Sequence, residues 1–92
     1  MSAHPAIRLS PDVVFRDLEG EAVLLDLSTG TYFGLNEVAT RVWTLLGTGA
    51  PIATIVDVIA DEYEAEPEAI AKDIEALLGE LRSRRLVVEE GA

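Results

Sequence analysis

The sequence predicts a small α+β fold, winged helix-turn-helix-like, with a three-stranded antiparallel sheet followed by three helices. Three short segments rich in β-branched and aromatic residues, separated by turn residues, lie within the first 35 positions. After position 36, apolar residues recur at helical spacing in three successive stretches. A chain of 92 residues has room for one small hydrophobic core. Together these observations predict the order βββααα with a short final β segment.

The turns between the predicted strands are marked by their residue types. Glu19-Gly20 is typical of a tight turn, and Gly30 suits a short hairpin loop because glycine adopts positive φ without strain. The three strands predicted on this basis are Val13–Leu18, 21–27 and Thr31–Leu35.

The helices are predicted from their ends and from their apolar faces. Asn36 is a favourable N-cap for the first helix, which ends at Gly47 and Gly49. Pro51 opens the second helix, and Pro67 lies at the start of the third. The residues expected on the three buried faces are Val38, Ala39, Val42, Trp43, Leu45 and Leu46; Ile52, Ile55, Val56, Ile59 and Tyr63; and Ile70, Ile74, Leu77, Leu78 and Leu81.

The two ends of the chain give weaker signals. Residues 1–11 contain two prolines and no periodic pattern, so we expect a flexible N-terminal arm. Residues 86–88 predict a short final strand or an extended tail. The remaining residues, 12–90, are expected to form a single domain.

The composition excludes several classes of function. The net charge of −10, from 17 acidic and seven basic residues, argues against binding nucleic acid or an anionic membrane. The absence of cysteine excludes disulfides, cysteine-based zinc sites and thiol nucleophiles. Because no signal peptide or stretch of about 20 apolar residues is visible, a cytoplasmic location is expected.

Candidate catalytic and metal-binding residues are few. The one histidine, His4, lies in the expected arm and has no positioned partner. The acidic run at 61–68 lacks the glycine and the bidentate acid of a calcium loop, and no glycine loop for phosphate is present. We therefore predict no metal, no cofactor and no enzymatic activity. The third predicted helix would be the recognition helix of a DNA-binding protein, but between Asp57 and Glu80 there are nine acids and one lysine.

The third predicted strand is an unusual edge. Thr31–Leu35 carries no charge and no proline, whereas natural proteins usually protect edge strands with such residues. An edge of this kind can accept a further strand from a peptide. Two alternatives stay open at this point: a helix or the C-terminal segment covers the edge, or two copies pair through it.

Residues 25–43 carry a motif with the spacing Gly-x-Tyr-x-x-Leu-Asn-x-x-Ala-x-x-x-Trp, from Gly30 to Trp43. It resembles the PqqD-like family, the leader-recognition elements of ribosomally synthesised and post-translationally modified peptides. The order of elements extends the resemblance over about residues 10–90. A free-standing chain of this size is also similar to the leader-binding component of lasso-peptide pathways. Within the motif, Asn36 is interpreted as a cap and Trp43 as a core residue.

The resemblance implies that a leader peptide docks as an extra strand on the third strand, in a groove beside the third helix. The strand forms one wall of this groove, and either of two flanks of the third helix could form the other wall. We favour the flank with Asp73, Leu77, Glu80 and Arg84, over the flank with Ala71, Glu75, Leu78 and Arg82. The peptide-binding residues implied in this way are Thr31, Tyr32, Phe33, Gly34, Ala69, Asp73, Ala76, Leu77, Glu80 and Arg84.

The function implied is a non-catalytic adaptor that binds the leader of a precursor peptide by β-strand addition and presents it to a processing enzyme. In a lasso-peptide pathway that enzyme would be a leader peptidase. One alternative is a PqqD-type partner of a radical SAM peptide-modifying enzyme. The other, which the acidic third helix disfavours, is a winged-helix DNA-binding regulator. A monomer or a weak dimer is expected. The acids that border the neutral strand favour a leader with Lys or Arg near its apolar anchors.

Overall fold

The computed structural model describes residues 6–19 and 21–90, and it confirms the α+β architecture. A three-stranded antiparallel sheet precedes three helices, and a separate pair of short strands joins the two ends of the described chain. The elements in chain order are β1 (Ala6–Leu9), β2 (Val13–Leu18), β3 (Glu21–Asp26), β4 (Thr31–Leu35), α1 (Glu37–Gly47), α2 (Ile52–Glu62), α3 (Pro67–Ser83) and β5 (Val87–Glu90).

The three-stranded sheet has the order β2-β3-β4, so β3 is its central strand. Ala22, Leu24 and Asp26 of β3 are buried, whereas Val23 and Leu25 between them are only half-buried. This alternation places one face of the sheet on the helices. The sheet packs on the helices in part through Thr40 of α1, whose buried hydroxyl accepts a hydrogen bond from the Ala22 N–H at 3.0 Å.

One hydrophobic core joins the inner face of the sheet to all three helices and to the start of β5. Its residues are Ala22, Leu24, Leu35, Val42, Trp43, Leu46, Ile55, Ile59, Ala60, Ile70, Ile74, Leu78, Leu81, Leu86 and Val87. Most of these residues were expected on the buried faces of the helices. Trp43 is 4% exposed, which agrees with its interpretation as a core residue.

The N-terminal segment differs from the expected flexible arm over 1–11. Ala6–Leu9 form β1, which pairs with β5 in antiparallel register from Ala6↔Glu90 to Leu9↔Val87. Ile7 and Leu9 pack against the core. With four residues, β1 is too short for an apolar-polar alternation to predict a strand. Its partner β5 is at the other end of the chain. Residues 1–5, the rest of the expected arm, lie outside the described residues.

The helix ends follow the predicted residues with small shifts. The Asn36 side chain accepts a hydrogen bond from the Ala39 N–H at 2.8 Å, which confirms the N-cap of α1. Pro51 is the residue before α2 and not its first residue. Tyr63 was expected on the buried face of α2, but it follows the last helical residue and is 38% exposed. No helix among the described residues has the length and apolar character to cross a membrane.

Candidate functional site

The strand β4 forms one edge of the sheet, and β3 is its one partner among the described residues. Its sequence, Thr-Tyr-Phe-Gly-Leu, carries no charge, and Tyr32 is 69% exposed. The structure therefore leaves open the edge that the sequence predicted to be open. No described strand other than β3 pairs with β4, and Tyr32 and Gly34 are exposed, so the alternative that a helix or the C-terminal segment covers this edge is wrong for the described residues.

The hydrogen-bond pattern of the sheet decides which residues of β4 face the open side. Leu27 N–H donates to Asp12 C=O at 2.8 Å, so the odd-numbered residues of β3 direct their main-chain groups toward β2. The even-numbered residues then face β4, where Leu24 pairs with Phe33. In β4 the main-chain groups of Tyr32 and Gly34 consequently point to the open edge. Thr31 and Phe33, which were also expected to bond a peptide through their main chain, direct those groups to β3.

The hairpin loop before β4 holds the edge strand in place. The Asp26 carboxylate, in a residue 6% exposed, accepts hydrogen bonds from the Ser28 hydroxyl at 2.7 Å and the Ser28 N–H at 2.9 Å. These bonds, with the hydroxyl contributing most, lower the pKa of Asp26 from its usual value. Gly30 has a φ of 76°, and its N–H donates to Asp26 C=O at 2.7 Å. The loop needs glycine here because other residues adopt this φ at a cost.

One side-chain contact, made by the C-cap residue Arg84, connects the end of α3 with β4. The Arg84 guanidinium lies over the Phe33 ring, 4.9 Å from its centroid. Arg84 belongs to the flank that we favoured. On the alternative flank, Leu78 is buried in the core and Arg82 is exposed. The favoured flank therefore meets the sheet at the C-terminal end of α3.

A pocket of about 540 Å³ lies between α1 and α3, just beyond the end of β4. Its lining combines apolar residues with a polar rim at Asn36, Tyr63, Asp73 and Glu80. The apolar lining consists of Val38, Ala39, Val42, Ile70, Ile74, Ala76 and Leu77. Such a pocket can seat one large apolar side chain of a peptide.

Four of the implied binding residues line this pocket, namely Asp73, Ala76, Leu77 and Glu80. Leu77 is half-buried: it packs against the core and also lines the pocket. Ala69 lies outside the pocket lining. The implied residues of β4 form the sheet edge next to the pocket. The Arg84 side chain does not line the pocket but contacts the Phe33 ring.

Several residues of the pocket were not expected there. Val38, Val42, Ile70 and Ile74 were assigned to the core from their helical spacing, and Tyr63 was assigned to the face of α2. Helical spacing identifies an apolar face, but it does not say where that face leaves a gap between two helices. Of the lining residues not expected there, only Asn36 could be placed near the site from the sequence, because it directly follows the edge strand in the motif.

The charges around the pocket are mostly negative. The Arg41 guanidinium is paired with the Glu62 carboxylate, with Nη2 and Oε2 at 2.6 Å, and this pair raises the pKa of Arg41 and lowers that of Glu62. Burial raises the pKa of Tyr63, and the nearby Glu37 carboxylate raises it further. Neither Asp73 nor Glu80 has an ion-pair partner within 4.0 Å in the described part of the chain. No cluster of three or more potential metal ligands occurs among the described residues.

Two solved structures share this fold over nearly their whole length. One is described as TbiB1 in complex with the TbiA(beta) leader peptide; it is 39% identical, with a TM-score of 0.83, and the match covers 87% of this chain and 93% of that chain. The other, lasso peptide synthetase B1 complexed with the leader peptide, is 29% identical, with a TM-score of 0.83, and the match covers 90% of this chain and 98% of that chain.

Comparison with family models gives the same relationship. No curated protein matches the chain. The family model for PqqD, coenzyme PQQ synthesis protein D, matches residues 21–87, which span β3 to the first residue of β5. This range includes the motif from Gly30 to Trp43 and the whole of the pocket lining. On these grounds the chain belongs to the PqqD family.

Proposed function

We propose that this protein is a non-catalytic adaptor that binds the leader of a ribosomally synthesised precursor peptide and presents it to a processing enzyme. The observation that carries the proposal is the uncharged, open edge of β4 beside the pocket between α1 and α3. Support comes from two proteins of the same fold, at 39% and 29% identity, that are bound to leader peptides.

The geometry suggests how the leader binds. An extended segment adds to β4 and bonds the main-chain groups of Tyr32 and Gly34. Side chains of that segment on the inner face lie near Phe33 and Arg84, which are already in contact. An apolar side chain at the end of the segment enters the pocket over Leu77. The edge supplies affinity through the main chain, and the pocket supplies specificity.

An adaptor needs no catalytic group of its own. Holding the leader raises the effective concentration of the rest of the precursor at the enzyme, because the second encounter becomes intramolecular. Our first candidate for the enzyme is a lasso-peptide leader peptidase, since one of the two structural relatives is described as lasso peptide synthetase B1 complexed with the leader peptide. The second is a radical SAM peptide-modifying enzyme, which the match to coenzyme PQQ synthesis protein D favours.

Replacing Gly34 by proline tests strand addition directly. Proline removes one edge-facing N–H but leaves the bonds between β3 and β4 in place. Gly34→Ala is the matched control, because its N–H is retained and nothing lies within 4 Å of the added Cβ. With labelled TbiA(beta) leader peptide as the probe, we expect anisotropy titrations to show binding to Gly34→Ala and a loss of at least about tenfold in Gly34→Pro. Equal affinity of the two folded variants would place the leader elsewhere.

A further inference from the structure

The pocket between α1 and α3 carries two carboxylates on either side of an apolar floor. Asp73 and Glu80 are seven residues apart on α3, which places them about two turns, or ~10 Å, apart on one face. Leu77 lies between them, and both acids contribute to the lining. A side chain that packs on Leu77 would thus have a negative charge about 5 Å away on each side along the helix axis.

Among the described residues, neither acid has an ion-pair partner within 4.0 Å. Arg84, one turn after Glu80, directs its guanidinium to the Phe33 ring. Arg41 forms its ion pair with Glu62. The Tyr63 hydroxyl at the same pocket lies close enough to the Glu37 carboxylate for that charge to raise its pKa. The pocket therefore has an apolar floor between two carboxylates that lack an ion-pair partner among the described residues.

We propose that Asp73 and Glu80 select leaders that carry Lys or Arg within about two residues of the apolar anchor that enters the pocket. An extended peptide advances about 3.3 Å per residue, so two residues on either side of the anchor span the distance between the carboxylates. The long stems of Lys and Arg add reach along the apolar wall. This inference rests on the proposed function and names the class of peptide that the site takes.

The expected strength follows from the position of the acids. Both are exposed before binding, so each pair with a cation contributes a few-fold in affinity and not more. The chain's net charge of −10 adds a long-range attraction that increases the association rate of a cationic peptide. The preference should therefore weaken as salt is raised.

The test selects peptides without assuming a sequence. A displayed library of random peptides is panned against three immobilised proteins: the unmodified chain, Asp73→Asn/Glu80→Gln, and Asp57→Asn/Glu75→Gln. The third is the matched control, since it loses the same two charges from exposed positions outside the pocket. We expect Lys and Arg to be enriched beside an apolar anchor on the unmodified chain and on the control, and this enrichment to disappear on Asp73→Asn/Glu80→Gln.

A titration then measures the effect on one selected peptide and on its version with Gln in place of Lys and Arg. We expect the cationic peptide to lose about three- to tenfold in affinity for Asp73→Asn/Glu80→Gln, and the Gln peptide to bind both proteins equally. The same enrichment on all three proteins, or equal loss for both peptides, would overturn the inference and leave strand addition standing. If no peptide were enriched on any of the three, the proposed function itself would fail.

Discussion

The outer strands β2 and β4 flank the same central strand, yet only β2 carries charged side chains. Arg16 and Asp17 of β2 are exposed, while β4 has no charge along its whole length. Charged side chains discourage another strand from pairing with an edge. The sheet is therefore protected by charge at its β2 edge and open at its β4 edge. The pocket and the Arg84 flank of α3 lie on the open side.

The largest expected effect comes from breaking the open edge while sparing the protected one. Proline at Gly34 removes a main-chain donor from the open edge of β4. Proline at Phe15 does the same on β2, because the register with β3 directs the Phe15 N–H away from the sheet. We expect Gly34→Pro to lose at least about tenfold in leader affinity and Phe15→Pro to keep it. A comparable loss in both folded variants would indicate general damage to the sheet.

Removing part of the pocket floor should have the next largest effect. Leu77→Ala deletes apolar contact with a bound side chain, so calorimetry should show leader affinity lowered about fivefold to tenfold. Val56→Ala is the control, since Val56 is also half-buried against the core but lies outside the pocket. The melting temperature should be lowered in both variants, because each loses apolar contact with the core. If Val56→Ala lowered leader affinity as much as Leu77→Ala, the pocket would not be the binding site of the leader.

The hairpin that holds β4 should give a pH-dependent stability. Because hydrogen bonds from Ser28 lower the pKa of folded Asp26 below its usual 3.8, the ionised carboxylate stabilises the fold above that value. This contribution is lost as the pH falls through the lowered pKa. Melting curves recorded from pH 7 down to about pH 2 should therefore show a fall that is shallower in Asp26→Asn. An unchanged pH profile in Asp26→Asn would mean that other carboxylates account for the acid sensitivity.

The ion pair between α1 and α2 should have the smallest effect. Arg41 and Glu62 are both well exposed, so their pair is screened by solvent. We expect Arg41→Ala to lower the melting temperature slightly at low salt, not at about 1 M salt, and to leave leader affinity unchanged. A clear loss of affinity would extend the functional surface from the β4 side to this pair.

Much of the fold could be predicted because local signals were strong. The turn at Glu19, the hairpin glycine Gly30 and the cap Asn36 set the limits of β2, β3, β4 and α1 to within a residue. The open edge followed from the lack of charge in five residues. The pairing of β1 with β5 could not be predicted, because it joins segments about 80 residues apart that are too short for a periodic pattern.

The geometry of the candidate site depends on packing that the sequence does not define. The favoured flank of α3 is supported by one contact, Arg84 on Phe33, that depends on how α3 crosses the sheet. The pocket depends on the packing of α1 against α3, so core residues such as Val38 and Ile70 line it as well. The division of β4 into residues that face β3 and residues that face the open edge requires the register, which the sequence does not define.

Amide hydrogen exchange with and without the leader tests strand addition most directly. The Tyr32 and Gly34 amides face the open edge of β4, and the Phe15 and Asp17 amides face the open side of β2. With saturating TbiA(beta) leader peptide, we predict that exchange at Tyr32 and Gly34 slows by at least about tenfold and that exchange at Phe15 and Asp17 is unchanged. Unchanged exchange at Tyr32 and Gly34 in the bound protein would contradict binding by β-strand addition.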